Sequence, residues 1–124
     1  MSNKIGTLQV YPEEQNPAKK VSYNLREGEY VIGTHSNCDI ILSFPNLAAR
    51  HCKLILSKEG PHKIEDLGGQ YGVYRVTPTI PRQKLRANTK YDLVPNSTFY
   101  LANKYKCIFE TEEGKSYKSR NNKS

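Results

Sequence analysis

Apolar and polar residues alternate in short runs along most of the chain, from Thr7 to Phe109, and no run has the spacing of an amphipathic helix. The alternation predicts strands at Thr7–Tyr11, Lys20–Leu25, Glu29–Gly33, Asp39–Leu42, Cys52–Ser57, His62–Asp66, Gly72–Arg75, Lys90–Leu93, Thr98–Ala102 and Tyr105–Glu110. Prolines and glycines stand between these runs, where they end strands or shape turns. The pattern predicts an all-β fold, an antiparallel β-sandwich of about ten to eleven strands.

The chain of 124 residues is long enough for one domain with a core of useful size. We assign residues 1–112 to this domain. Residues 113–124 are rich in cations and polar side chains and carry too few apolar groups to bury, so we predict a disordered basic tail or linker there. Such a tail leads us to expect that the chain is a module of a longer protein.

The charge of the chain is basic, with 19 Lys and Arg against 12 Asp and Glu and a net charge of +7. A basic balance suits nucleic acid, an acidic partner or nothing specific. Because the charges are scattered along the sequence, we interpret them as a solvated surface and do not expect direct nucleic-acid binding. The three cysteines are widely spaced and no run of apolar residues could cross a membrane, which favours a reducing, intracellular setting without membrane contact.

Residue pairs that could carry catalysis or bind a metal are poorly arranged. His51 and Cys52 are adjacent on a predicted strand, where successive side chains point to opposite faces. His35 and Cys38 lie three residues apart, but no second pair completes a zinc site. We therefore predict no enzyme activity, no metal and no cofactor.

Three segments in order resemble the forkhead-associated family: VIGTHSNCDIIL from Val31, FPNLAARHCKLIL from Phe44 and IEDLGGQYGVYRV from Ile64. The family positions that hold the fold together are present, namely Gly33, His51, Asp66 and Gly72. We expect His51 to brace loops by hydrogen bonding and Gly72 to supply a backbone conformation that a Cβ would hinder.

The resemblance fails at the positions that hold phosphothreonine in the family. Thr34, Ala48 and Ala49 stand where the family has an Arg, a Ser and a further cation, and Gly69 and Tyr71 replace the Ser and Asn of the third motif. A phosphate needs cations and donors aimed at its oxygens. The sequence therefore predicts a degenerate pocket in which phosphothreonine binding is lost or very weak. The alternative is a rearranged pocket, in which Arg50, with Lys53 nearby, replaces the lost cations.

The run FPNLAARHCKL and the opening at Leu8 to Tyr11 are similar to the N-terminal domain of mediator of DNA damage checkpoint proteins. This resemblance implies a nuclear, non-catalytic module that forms homodimers, in a protein that acts with chromatin-associated or checkpoint proteins. Tyrosines favour interfaces, so we name as candidates for the dimer surface Tyr71, Tyr74, Tyr100 and Tyr105. The alternative is that these tyrosines fill the edges of the sandwich.

Overall fold

The computed structural model of the chain describes residues 4–111. These residues form two β-sheets. The strands are β1 (Lys4–Tyr11), β2 (Val21–Arg26), β3 (Gly28–Gly33), β4 (Ile40–Ile41), β5 (Cys52–Leu56), β6 (Lys63–Asp66), β7 (Val73–Arg75), β8 (Gln83–Lys84), β9 (Lys90–Asp92), β10 (Thr98–Leu101) and β11 (Tyr105–Glu110). A short 3-10 helix, Pro17–Lys19, lies between β1 and β2. The predicted all-β sandwich is confirmed, whereas the predicted tail at residues 113–124 lies outside the described residues.

The strand order defines a six-stranded and a five-stranded sheet. The first runs β2-β1-β11-β10-β7-β8 and the second β4-β3-β5-β6-β9. All pairs are antiparallel except β3 with β4, which departs from the predicted antiparallel arrangement. The loop between these strands contains a turn closed by a hydrogen bond from Cys38 N to His35 O. Hydrogen bonds from Asp39 N to Val31 O and from Leu42 N to Gly33 O then hold β4 parallel to β3.

The core lies between the sheets because alternate residues of each strand point inward. In β11, Tyr105, Cys107 and Phe109 are buried, while the residues between them are only partly covered. β5 follows the same rule with Cys52, Leu54 and Leu56. Complete burial of a side chain the size of Leu or Phe contributes about 1.5–3 kcal/mol to the free energy of folding. Burial of these alternate side chains is therefore the main interaction that holds the two sheets together.

β8 is the strand that the sequence does not predict. Its two residues follow a proline-containing segment, and a strand of this length is too short to show alternation. It pairs with β7 through Tyr74 with Lys84 and Arg75 with Gln83. Arg75 fixes the position further, since its Nε donates to Gln83 Oε1 at 2.8 Å and its Nη1 to Asp92 O at 3.2 Å.

The cysteines Cys38, Cys52 and Cys107 are all buried and free. Burial raises the pKa of the Cys52 thiol well above its ordinary value, and burial raises the pKa of Cys107 as well. Both groups therefore remain protonated at neutral pH and serve as small apolar side chains in the core. No helix among residues 4–111 is both long and apolar enough to cross a membrane.

Candidate functional site

The loop after β3 and the loop before β5 are bonded to each other along their backbones. Thr34 N donates to Ala48 O and His35 N donates to Ala49 O, each at 3.1 Å. This approach requires glycine at position 33, because a Cβ there would lie 2.1 Å from Ala49 O. Gly33 therefore sets the distance between the two loops.

His51 joins the loop before β5 to the loop between β6 and β7. Its ring is fully buried, and Nδ1 accepts a hydrogen bond from Ala48 N at 3.0 Å. Nε2 lies 2.7 Å from Gly72 O, so this nitrogen carries the proton and donates it to the carbonyl. The ring is thus a neutral brace between two loops, in agreement with the role predicted from the sequence.

The loop between β6 and β7 is shaped by Asp66 and by two glycines. Asp66 is buried, and its Oδ1 accepts from Gly68 N at 2.9 Å, which closes the start of the loop. Gly72 closes its end in the left-handed region with φ 71°, where a Cβ is unfavourable. Gly69 packs against the ring of His51, since an added Cβ would lie 2.9 Å from Nδ1. These contacts bring the three motifs together at one end of the sandwich.

The surface formed by these loops lacks cations at the predicted phosphate positions. Thr34 and Ala48 are half-buried, Ala49 is exposed and Gly69 is half-buried. Tyr71 projects from the same end and is 44% exposed. None of these side chains carries a positive charge, so these five positions offer backbone groups, a hydroxyl and an aromatic ring to a ligand.

Arg50 and Lys53, the cations of the alternative prediction, differ in their surroundings. Arg50 is exposed and makes no hydrogen bond or ion pair with the residues that the structure describes. Lys53 lies on the outer face of the five-stranded sheet, where its Nζ is 3.0 Å from Glu29 Oε1. Of the two, Arg50 alone is left without a carboxylate partner within residues 4–111.

The four tyrosines predicted at a dimer surface fall into two groups. Tyr71 is exposed and Tyr74 half-buried, so both are accessible. Tyr100 and Tyr105 are only 7% and 3% exposed within the monomer, which corrects the prediction for these two residues. Tyr105 points into the core, where its hydroxyl donates to Pro45 O at 2.9 Å. Tyr100 points outward but is covered by Arg82, whose guanidinium carbon lies 3.4 Å from the ring centroid.

The residues considered as zinc ligands have structural contacts. His35 Nδ1 accepts from Asn37 N at 3.0 Å, and Cys38 Sγ donates to Ala49 O at 3.0 Å. Across the described range, residues 4–111, no group of three or more potential metal-binding side chains occurs.

Lys84 lies next to the loop end of the sandwich and was missed by sequence reasoning. Its Cε is 3.0 Å from the position that a Cβ on Gly72 would occupy. A cation thus approaches this end from the edge strand β8, in addition to Arg50, which is exposed on the loop before β5. The available signal was the basic composition of the segment from Arg82 to Arg86, but that signal gives no position in space.

The sequence model of the forkhead-associated (FHA) domain matches residues 30–102, which contain all three motifs. The chain belongs to the FHA domain family. FHA domains are non-catalytic protein-interaction modules that bind phosphopeptides. The matched residues include the loops described above. No curated protein sequence matches the chain.

Solved FHA structures share the fold at low sequence identity. The FHA domain of CT664 from Chlamydia trachomatis is 24% identical, with a TM-score of 0.69 over 86% of this chain and 96% of that one. An FHA domain studied for phosphothreonine-dependent interactions is 18% identical, with a TM-score of 0.68 over 87% and 97% of the two chains. The MEK1 FHA domain in complex with the HOP1 pThr318 peptide is 13% identical, with a TM-score of 0.62 over 85% and 96%.

Proposed function

We propose that this FHA domain is a protein-interaction module that associates with itself and has lost phosphothreonine recognition at its motif loops. The observation that carries the proposal is the chemistry of Thr34, Ala48 and Ala49. These residues lie on two loops held together by backbone hydrogen bonds. The sequence resemblance implies that the family presents its phosphate-binding side chains at these positions.

The energetic argument concerns the number of lost contacts. A hydrogen bond to a charged group contributes about 1.5–3 kcal/mol, so three such contacts supply about 5–9 kcal/mol. A complex with micromolar affinity has a total of only about 8 kcal/mol. Loss of three contacts therefore removes most of the free energy that a phosphopeptide would gain, although the loop framework around His51 is intact.

The self-association part of the proposal is supported by the accessible aromatic residue at the loop end. Tyr71 is exposed beside loops that carry no charge at their phosphate positions. Tyrosine is enriched at protein interfaces because its ring buries a large area with little loss of conformational freedom. A dimer would let weak binding modules elsewhere in a longer protein act together.

We extend the proposal to a nuclear protein that mediates the response to DNA damage and acts with chromatin-associated or checkpoint proteins. The support is the segment Phe44 to Leu54, which is similar to that group of proteins. The structure gives Phe44 a role in this segment, since its ring lies 4.9 Å from that of Tyr105 and fixes the loop against the six-stranded sheet.

The proposal is tested with residues 1–124 in two measurements. Sedimentation over a hundredfold concentration range should show a reversible dimer, unchanged by a phosphothreonine peptide library. The triple variant Thr34→Arg, Ala48→Ser, Ala49→Arg restores the family side chains on an intact framework and should gain measurable phosphopeptide binding. A monomeric wild-type protein, or wild-type phosphopeptide binding as strong as that of the triple variant, would contradict the proposal.

The second candidate function is phosphopeptide binding through Arg50, favoured by the exposure of this side chain and its lack of a partner in the described chain. Arg50→Ala decides this point. Under the main proposal the variant behaves as the wild type in the peptide titration, whereas loss of phosphopeptide affinity on this substitution would support the second function.

A further inference from the structure

A row of tyrosines and lysines crosses the outer face of the six-stranded sheet. Register places its members directly opposite each other on β8, β7, β10, β11 and β1: Lys84, Tyr74, Tyr100, Lys106 and Tyr11. The neighbouring residues Val73, Phe99 and Cys107 are buried in the core, so the row faces away from it. Five strands at a spacing of about 4.8 Å make the row about 20 Å long.

Cations lie on the aromatic rings of this row. The guanidinium of Arg82 is centred 3.4 Å from the ring centroid of Tyr100, and Lys106 Nζ lies 5.4 Å from that of Tyr11. Such contacts attract a cation to the face of the ring and leave its N–H groups available for other bonds. We call Arg82, Lys84 and Lys106 the cation row.

The turn between β10 and β11 fixes Arg82 in place. Its Nη1 donates to Asn103 O at 3.1 Å and also bonds to the Asn103 side-chain oxygen. Ala102 and Asn103 both have positive φ, 58° and 54°, and Lys104 N donates to Leu101 O at 3.1 Å, as in a type I′ turn. This turn therefore presents a preorganised guanidinium above Tyr100.

The cation row has no carboxylate partner in the described chain. The ion pairs within residues 4–111 are Lys19–Glu13, Lys53–Glu29 and Lys63–Asp92, and none involves this row. The carboxylate of Glu14 approaches the face, but it accepts a hydrogen bond from the Tyr100 hydroxyl at 3.4 Å. Lys84 is exposed and makes no hydrogen bond or ion pair with described residues. Three positive charges thus share this surface without an ion pair to a described residue, and one carboxylate, that of Glu14, lies beside them.

We propose that the cation row is a binding surface for an acidic segment of a protein partner. The charge of the surface complements carboxylates, and a row about 20 Å long accommodates about six residues of extended peptide. A protein segment is favoured over nucleic acid because cations lie over the rings of Tyr100 and Tyr11, which leaves Tyr74 as a single accessible ring of the row. Single-stranded nucleic acid stacks successive bases on several rings. The surface lies on the strands of the six-stranded sheet, touches the motif loops only where Lys84 approaches Gly72, and requires neither phosphothreonine nor a dimer.

The test compares two sets of charge-neutralising variants of the full chain. Arg82→Gln, Lys84→Gln and Lys106→Gln together remove the cation row. Lys53→Gln, Lys63→Gln and Lys90→Gln remove the same charge from the outer face of the five-stranded sheet. Fluorescence anisotropy at about 0.1 M salt, where the screening length is about 10 Å, measures binding of a labelled oligoglutamate peptide. We expect the first set to weaken binding about tenfold and the second to change it less than about twofold.

Two further measurements keep the outcome clear. The single variant Lys84→Gln loses no hydrogen bond or ion pair with the described residues, so it should fold as the wild type and still weaken oligoglutamate binding. A labelled oligothymidylate tests the nucleic-acid class. Equal weakening by both sets of variants, absence of oligoglutamate binding, or tighter binding of oligothymidylate through the same residues would overturn the proposal. A wild-type monomer that binds oligoglutamate through the cation row would contradict the proposed dimer and support this inference.

Discussion

The outer faces of the two sheets treat their positive charges in different ways. On the five-stranded sheet, Lys53 is 3.0 Å from Glu29 and Lys63 is 2.6 Å from Asp92, and the register sets Lys90 directly opposite Glu65. On the six-stranded sheet, Arg82 and Lys106 lie on tyrosine rings. One face therefore pairs its cations with carboxylates, and the other holds cations on aromatic rings.

Under the proposal for the cation row, part of the net charge of +7 forms a binding surface, whereas the sequence analysis interpreted the charges as a solvated surface. An ion pair neutralises both of its members, whereas a ring holds a cation without cancelling its charge. Lys84 and Lys106 are far apart in the sequence, but strand pairing places them in one row. The register therefore shows that charges scattered in the sequence can lie on one surface.

Among substitutions on the two faces, we expect Tyr100→Ala to have the largest effect on the free energy of unfolding. The ring is nearly buried beneath Arg82, and its removal leaves a gap on the outer face of the six-stranded sheet, so the free energy of unfolding should fall by about 3 kcal/mol. Tyr100→Phe is the matched control, since it keeps the ring and loses only the hydroxyl contact with Glu14, which contributes about 1 kcal/mol or less. Denaturant unfolding measures both. Equal losses in the two variants would show that the ring does not support this face.

A smaller effect, of opposite sign, is expected from Ala102→Gly. Ala102 has φ 58°, a conformation that costs an L residue about 1 kcal/mol and that glycine adopts readily. The substitution should raise the free energy of unfolding by about 0.5–1 kcal/mol while the turn that anchors Arg82 is kept. Thermal and denaturant unfolding provide the measurement. A decrease in stability would mean that the Ala102 side chain contributes more than the strain it imposes.

The smallest effect concerns the outer face of the five-stranded sheet and its dependence on pH. The hydrogen bond from Lys63, together with its charge, lowers the pKa of Asp92 below the ordinary 3.8. A lowered folded-state pKa stabilises the protein above the unfolded pKa, and this contribution is lost as the pH falls through the folded value. Lys63→Gln should therefore raise the pKa of Asp92 and reduce this part of the acid-induced loss of stability. Carboxyl NMR titration would show an unchanged pKa if the pair did not form in solution.

The sequence predicted most strands because alternation directly reports which side chains enter the core. It could not predict β8, where two residues are too few to define a period, or the parallel pairing of β3 with β4, which depends on the path of the intervening loop. The burial of Tyr105 follows from alternation with Cys107 and Phe109. The burial of Tyr100 does not follow from alternation, because its outward-facing ring is covered by Arg82, which directly precedes β8.

The candidate site was predictable to the extent that local motifs determine it. His51 and Gly72 could be given roles because a buried imidazole needs partners and a tight turn needs a positive φ. The cation row could not be found in this way, since its members come from β8, the segment before it and β11. Only the pairing of strands brings them together.

The three thiols lie at positions where their reaction with an alkylating reagent would report which part of the domain has opened. Cys38 is on the loop after β3, where its thiol donates a hydrogen bond to Ala49 O, whereas Cys52 and Cys107 face the core from opposite sheets. An alkylating reagent can reach Cys38 when the loops separate, but it can reach the other two only when the sheets part. The rate of modification at each cysteine therefore distinguishes local opening of the motif loops from global unfolding, without any introduced label.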